Sequence, residues 1–171
     1  VSAGTPRQVA LGLGANLGDR VAALQGAVDV IAPRLADAAV SSVYETVPVG
    51  GPEQPDYANA VLVGAFLGEP LELLALAHQA EQAWSRTRDI RWGPRTLDVD
   101  VLVVGDLVSD DPTLTLPHPR AHERAFVLVP WAEADPCATF PDGVRVSDLA
   151  AATDPGDGVR PRRDVRLELP S

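Results

Sequence analysis

Lysine and methionine are missing from this sequence altogether, and cysteine occurs once. Without lysine there is no phosphate-binding P-loop, because that loop needs a lysine to reach the β and γ phosphates. The one cysteine, Cys137 in ADPCATF, leaves no internal disulfide to form, and a reducing cytoplasm is the expected setting. Its surroundings suggest a plain thiol, buried or half-buried. No apolar stretch reaches the ~20 residues that a membrane span requires. The opening VSAGTPRQVALGLG also lacks the basic-then-apolar order of a secretory signal. Cations are scarce too: the net charge is −10, which argues against a broad nucleic-acid surface.

What is present suits an ordinary globular chain. Of 171 residues, 46% are hydrophobic and 22% charged, enough for one well-buried core. One domain over residues 1–152 is expected, with 153–171 as a tail that is loose or adds an edge strand at Val165–Leu169. The pattern predicts a strand over 7–16 and a helix over 17–35, where Val21, Leu24, Val28 and Ile31 fall at helical steps. A strand over 38–49 follows, then a glycine- and proline-rich loop over 50–56 and a strand over 57–67. A helix over 69–84 with proline in its first turn precedes a strand over 96–104. Short helices are expected near 121–134 and 146–152. The order βαββαβ predicts an α+β sandwich of ferredoxin-like type, one sheet with its flanking helices on one face.

GLGANLG sets Gly12, Gly14 and Gly18 between a strand and a helix, as a dinucleotide fingerprint would. The third glycine falls one position late, with Leu17 in its place, and the following elements do not continue a βα series. A tight strand-to-helix turn accounts for these glycines, with lining of a substrate pocket as the other reading.

RWGPRTLDVD, residues 91–100, is more telling. On a strand, Asp98 and Asp100 share one face about 6.5–7 Å apart, while Leu97, Val99 and Val101 share the other. Two like charges so placed repel unless a cation joins them. Magnesium, a hard ion that combines one or two carboxylates with substrate phosphates, fits that role. Two ions about 3.5–4 Å apart could be bridged by such a pair. An isolated D-x-D could equally be a solvated polar face. Here, however, Arg86, Arg88, Arg91 and Arg95 lie just upstream against Asp89 alone, a positive segment in an acidic chain. Guanidinium groups bind phosphate oxygens in pairs of hydrogen bonds. Carboxylates and arginines beside a glycine-bearing loop point to a metal–polyphosphate site of the kind phosphoryl-type transfer uses.

RWGPRTLDVDVL strongly resembles the signature of the 6-hydroxymethyl-7,8-dihydropterin pyrophosphokinase family of folate biosynthesis. LGLGANLGDR, SSVYETVPVGGPEQPDYANAV, EQAWSRTRDIRWGPRTLDVDVL and LTLPHPRAHERAFVLVP match it in order, over roughly residues 8–142. The resemblance implies a ferredoxin-like α/β fold and transfer of pyrophosphate from ATP to the pterin's hydroxymethyl group, releasing AMP. It implies that Asp98 and Asp100 hold two Mg2+ ions and that Arg86 and Arg95 act in catalysis on the phosphates. Glu81, Arg88, Val101, Thr115, His118 and Arg124 then stand at ATP-binding positions. Thr46, Val47, Val49, Tyr57, Asn59, Trp92 and Phe126 form the pterin pocket. Within it Asn59 pairs with the ring edge, Tyr57 and Phe126 sandwich the ring, and Trp92 closes over it. Small-molecule substrates are implied, with no nucleic-acid or membrane partner, in a cytoplasmic monomer.

Three positions depart from the family's usual pattern: Ala15 where serine is common, His78 for glutamine and Thr113 for arginine. They bear on ATP affinity rather than on the reaction. Two other readings are a non-catalytic pterin- or nucleotide-binding module and a D-x-D metal-dependent glycosyltransferase. The first would lack the carboxylates or Arg86 and Arg95; the second normally needs a larger nucleotide-binding domain.

Overall fold

The computed structural model describes residues 5–16, 19–46, 57–87, 97–153 and 158–170, with side chains of the 57–87 stretch described through residue 84. Strands are β1 (Arg7–Ala15), β2 (Ala36–Val40), β3 (Val43–Thr46), β4 (Tyr57–Phe66), β5 (Leu97–Val104) and β6 (Val159–Arg162). Helices are α1 (Arg20–Ile31), α2 (Pro70–Thr87), α3 (Ala125–Ala134) and α4 (Val146–Ala152). The sheet runs β5-β1-β4-β3-β6, with β2 also on β4, and every pairing is antiparallel. The expected βαββαβ order is present, and the α+β sandwich holds. The predicted 38–49 strand is interrupted at Ser41–Ser42. The Asp19 carboxylate caps α1 by accepting from the Ala22 N–H at 3.1 Å.

Two layers of helices, not one, cover the sheet. Leu11, Leu13, Ala60, Leu62, Val99 and Val101 face α1 and α2, where Leu24, Val28, Ile31, Leu73 and Ala77 complete a core. Ala10, Val61, Val63, Leu102 and Val103 face the other way, against Leu128 and Trp131 of α3 and Val146 of α4. The expectation of helices on one face fails because the central strands are apolar on both faces. β4 is buried at eight of the nine positions from Ala58 to Phe66, and such a run needs cover on each side.

The tail is also placed differently. Its strand is Val159–Arg162, paired with β3, and not Val165–Leu169. Leu167 is instead buried in the α1–α2 core, and Glu168 exchanges two backbone hydrogen bonds with the Gln25 side chain, at 2.8 and 2.9 Å. Arg162 and Arg20 both donate to the Glu45 carboxylate, at 3.2 and 2.6 Å, tying β6 and α1 to β3. Cys137 is exposed, contrary to the expected buried or half-buried thiol. It sits in a polar turn after α3, where its N–H donates to the Asp135 carboxylate.

Candidate active site

α3 covers only one end of its sheet face. At the other end β1 contributes Gly12 and Gly14, β4 contributes Tyr57 and Asn59, and β5 contributes Asp98 and Asp100. The register sets Gly12 between Val61 and Asp100, and Gly14 between Asn59 and Asp98. With no side chain on the middle strand, the outer two look into a common space. That space is a cleft of about 460 Å3, closed on its far side by Arg120, Arg124, Phe126 and Val127. Tyr57, Asn59, Asp98, Asp100, Arg124 and Phe126, six of the candidates read from sequence, converge on it.

Asn59 is buried, and its Nδ2 donates to the Thr46 Oγ1 at 2.9 Å. That bond fixes which way the amide points. Its Oδ1 lies 3.3 Å from where a Cβ on Gly14 would stand, so a larger residue at 14 would crowd the carbonyl. Tyr57 is half-exposed at the rim, and the Arg124 guanidinium lies 5.5 Å over the Phe126 ring.

Asp98 and Asp100 alternate with buried Leu97, Val99 and Val101 and are themselves exposed. Among the described residues no three His, Cys, Asp or Glu side chains gather around one point for a metal. Two exposed carboxylates on one strand face suit a hard ion whose remaining ligands come from phosphates and water.

His118 reaches this pair through a bulge. The β1–β5 register pairs Ala10 with Val103 and Leu11 with Val101, leaving Leu102 as an extra residue. The Leu102 carbonyl accepts the His118 N–H at 2.8 Å, which brings His118 Nε2 to 4.0 Å from Asp100 Oδ2. The ring's Nδ1 accepts from the Arg120 N–H at 3.2 Å, so a neutral ring carries its proton on Nε2, facing the carboxylate. Burial lowers the His118 pKa, against the pull of Asp100 and with the help of Arg124 and Arg120. The Nε2 edge of the ring thus faces Asp100 at the cleft.

Glu81 stands behind the carboxylates. β5 ends the sheet, and the outward Val99 N–H is taken by Glu81 Oε2 at 2.8 Å. Burial raises the Glu81 pKa; the Val99 hydrogen bond and His78 oppose this, while Asp98 and Asp100 add to it. A carboxyl raised on folding favours the folded state most when protonated. That contribution is complete below the ordinary carboxylate range and is lost as pH rises through the higher folded value. Glu81→Gln is therefore expected to stabilise the ligand-free protein at pH 7.5 relative to wild type. The gain should shrink towards pH 4, measured by urea unfolding across that range. An identical difference at both ends would contradict the assignment.

Other candidates lie apart from the cleft. The Val101 side chain is buried on the α1–α2 face, leaving only its main chain for a nucleotide. The Thr115 hydroxyl donates to the Asp111 carbonyl at 3.1 Å, within its own turn. Val47, Val49, Arg88, Trp92 and Arg95, and the Arg86 side chain, lie outside the described residues. Arg120 was missed; its only signal was a second arginine in PHPRAHER, four residues before Arg124.

An antiparallel sheet whose open end gathers two exposed carboxylates, a buried amide and two aromatic side chains around one cleft suits a nucleotide-dependent transferase. The 7,8-dihydro-6-hydroxymethylpterin-pyrophosphokinase (HPPK) family matches residues 10–136, and the chain belongs to that family. The 2-amino-4-hydroxy-6-hydroxymethyldihydropteridine pyrophosphokinase of Mycobacterium bovis is 42% identical over 96% of this chain and 91% of its own length. The Bacillus subtilis enzyme of the same name is 40% identical over 80% of this chain and 87% of its own. Among solved structures, a Plasmodium falciparum HPPK-DHPS with pteroate gives a TM-score of 0.66 at 14% identity, which speaks for the fold. It matches 86% of this chain, which spans 42% of that longer one. The chain is an ATP-dependent pyrophosphokinase of folate biosynthesis. No described helix is long and apolar enough to cross a membrane.

Proposed function

We propose that the cleft holds both substrates, the pterin on its β4 side and the ATP phosphates on its β5 side. The observation that carries this is the convergence of Tyr57, Asn59 and Phe126 with Asp98 and Asp100 on one open patch of sheet. Tyr57 and Phe126 take the faces of the flat ring, and the oriented Asn59 amide pairs with its edge. Asp98 and Asp100 would hold two magnesium ions, which when bound offset the phosphate charge and make the hydroxymethyl group more acidic. Arg120, Arg124 and the His118 Nε2–H supply donors to phosphate oxygens. The Arg86 side chain at the end of α2, with Arg88 and Arg95 from the segment outside the described residues, would add charge, and Trp92 would cover the ring.

In the reaction, the hydroxymethyl oxygen forms a bond to the β-phosphorus of ATP. The bridging oxygen between the α and β phosphorus leaves with AMP, and the hydroxyl proton passes to solvent or a carboxylate. The chain's own part is positioning and electrostatic stabilisation. We read it as a cytoplasmic monomer.

AMP release from ATP that requires the hydroxymethyl pterin is the expected result of the direct assay. ATP turnover indifferent to the pterin would overturn the reading. Asn59→Ala is expected to weaken pterin binding about 5- to 150-fold, the value of roughly 1–3 kcal/mol in buried hydrogen bonds. ATP binding should change little. Equal weakening of both ligands in calorimetry would show that Asn59 serves another end.

A further inference from the structure

The β2–β3 junction contains a bulge that the cleft does not explain. Val40 pairs with Leu62 and Tyr44 with Asn59, so one extra residue is accommodated at Ser41–Ser42. Ser41 satisfies β4 by itself: its N–H donates to the Val61 carbonyl and its Oγ accepts the Val61 N–H, each at 2.9 Å. Ser42 is left with its N–H turned away from the ladder. That N–H donates to both Glu133 oxygens at 3.1 Å, and the Ser42 hydroxyl donates to Oε2 at 2.8 Å. The Tyr44 hydroxyl donates to Oε1 at 2.7 Å. One surface carboxylate on α3 thus collects three donors from Ser42 and β3, the strand paired with β4 beside the cleft.

Both ends of this link lead to the site. Tyr44 lies directly opposite Asn59 in the ladder, and Thr46, two residues on and on the same face, accepts the Asn59 amide. At the other end, Phe126 precedes Glu133 by seven residues, two helical turns, so the two share a face of α3. Attachment of α3 does not need Glu133, because Leu128 and Trp131 are already buried against the sheet. Apolar burial is non-directional, however, and leaves the helix free to slide or rotate a little. Hydrogen bonds with fixed angles remove that freedom.

We propose that Glu133 is a positioning residue for the pterin, setting the separation between the Asn59–Thr46 edge and the Phe126 wall of the cleft. This rests on the reading of the cleft given above. Burial and the hydrogen bond to Glu133 both raise the Tyr44 pKa, so the phenol stays a donor at neutral pH.

The test separates positioning from mere support. In steady-state assays of the intact enzyme, Glu133→Ala is expected to raise the pterin KM about tenfold and to leave the ATP KM within about twofold. Glu133→Gln, which keeps the shape and one acceptor oxygen, should fall between it and wild type. Tyr44→Phe should also raise the pterin KM, and adding it to Glu133→Ala should cost less than its effect alone. The Gln and Phe variants serve if the alanine variant does not fold. Parallel changes in both KM values, or a lower melting temperature and kcat with unchanged pterin KM, would overturn the proposal. Wild-type enzyme without pterin-dependent AMP release would overturn the cleft reading as well.

Discussion

Asp98→Asn and Asp100→Asn are each expected to lower turnover by about 10^2- to 10^3-fold or more, the scale of removing one preorganised charge-stabilising group. On the reading proposed above, each change removes a charge that would hold metal beside the phosphates. Both side chains are exposed, so the fold should persist, with far-UV circular dichroism and melting temperature close to wild type. The neutral amide also relieves repulsion between neighbouring carboxylates, so no loss of apo stability is expected. Near wild-type turnover at ordinary magnesium concentration in either variant would sink the metal assignment. Calcium should support nucleotide binding better than turnover, since its coordination is longer and looser.

The largest effect on stability is expected at Trp131. It is fully buried and meets Phe140 edge-on at 5.1 Å, and Phe140 in turn stacks on His122 at 4.1 Å. Trp131→Ala removes the centre of the second core, at a cost of about 3–5 kcal/mol. For a chain of this length that is a fall of roughly 6–20 °C in melting temperature. The pterin KM should rise at the same time, because α3 also presents Arg124 and Phe126 to the cleft. A fall of less than about 2 °C would mean that α3 and α4 unfold apart from the sheet, and scanning calorimetry would show two transitions.

Much of this was legible before any coordinates. The 3.6-residue spacing of Val21, Leu24, Val28 and Ile31 and the alternation through Leu97–Val101 depend only on local periods, and both appear as read. Asp98 and Asp100 were visible because charge on one face of an otherwise apolar strand needs a reason. The bulges at Leu102 and Ser41–Ser42 were not visible, since an extra residue is defined by the partner strand's register. His118 shows the difference. Its sequence motif marked it, but its closeness to Asp100 comes from the carbonyl that the Leu102 bulge supplies. The tail misled because VRLEL alternates like a strand, while it is VRPR that finds β3. Leu167 fills a gap beside α1 that no linear pattern announces.

β5 carries a further consequence, concerning how copies of the chain behave together. It is eight residues long, six of them apolar and four of those valine, placed at the border of the sheet. Such a segment is a template for intermolecular β-pairing and aggregation. Two features obstruct that. The carboxylate of Glu81 occupies the outward Val99 N–H, and His118 occupies the Leu102 carbonyl, so an incoming strand finds part of the ladder taken. Asp98 and Asp100 add charges that repel an identical strand laid alongside. The carboxylates proposed above to serve the phosphates thus also act as gatekeepers of solubility, and a chain that lost them would carry its most self-adhesive strand without its guard.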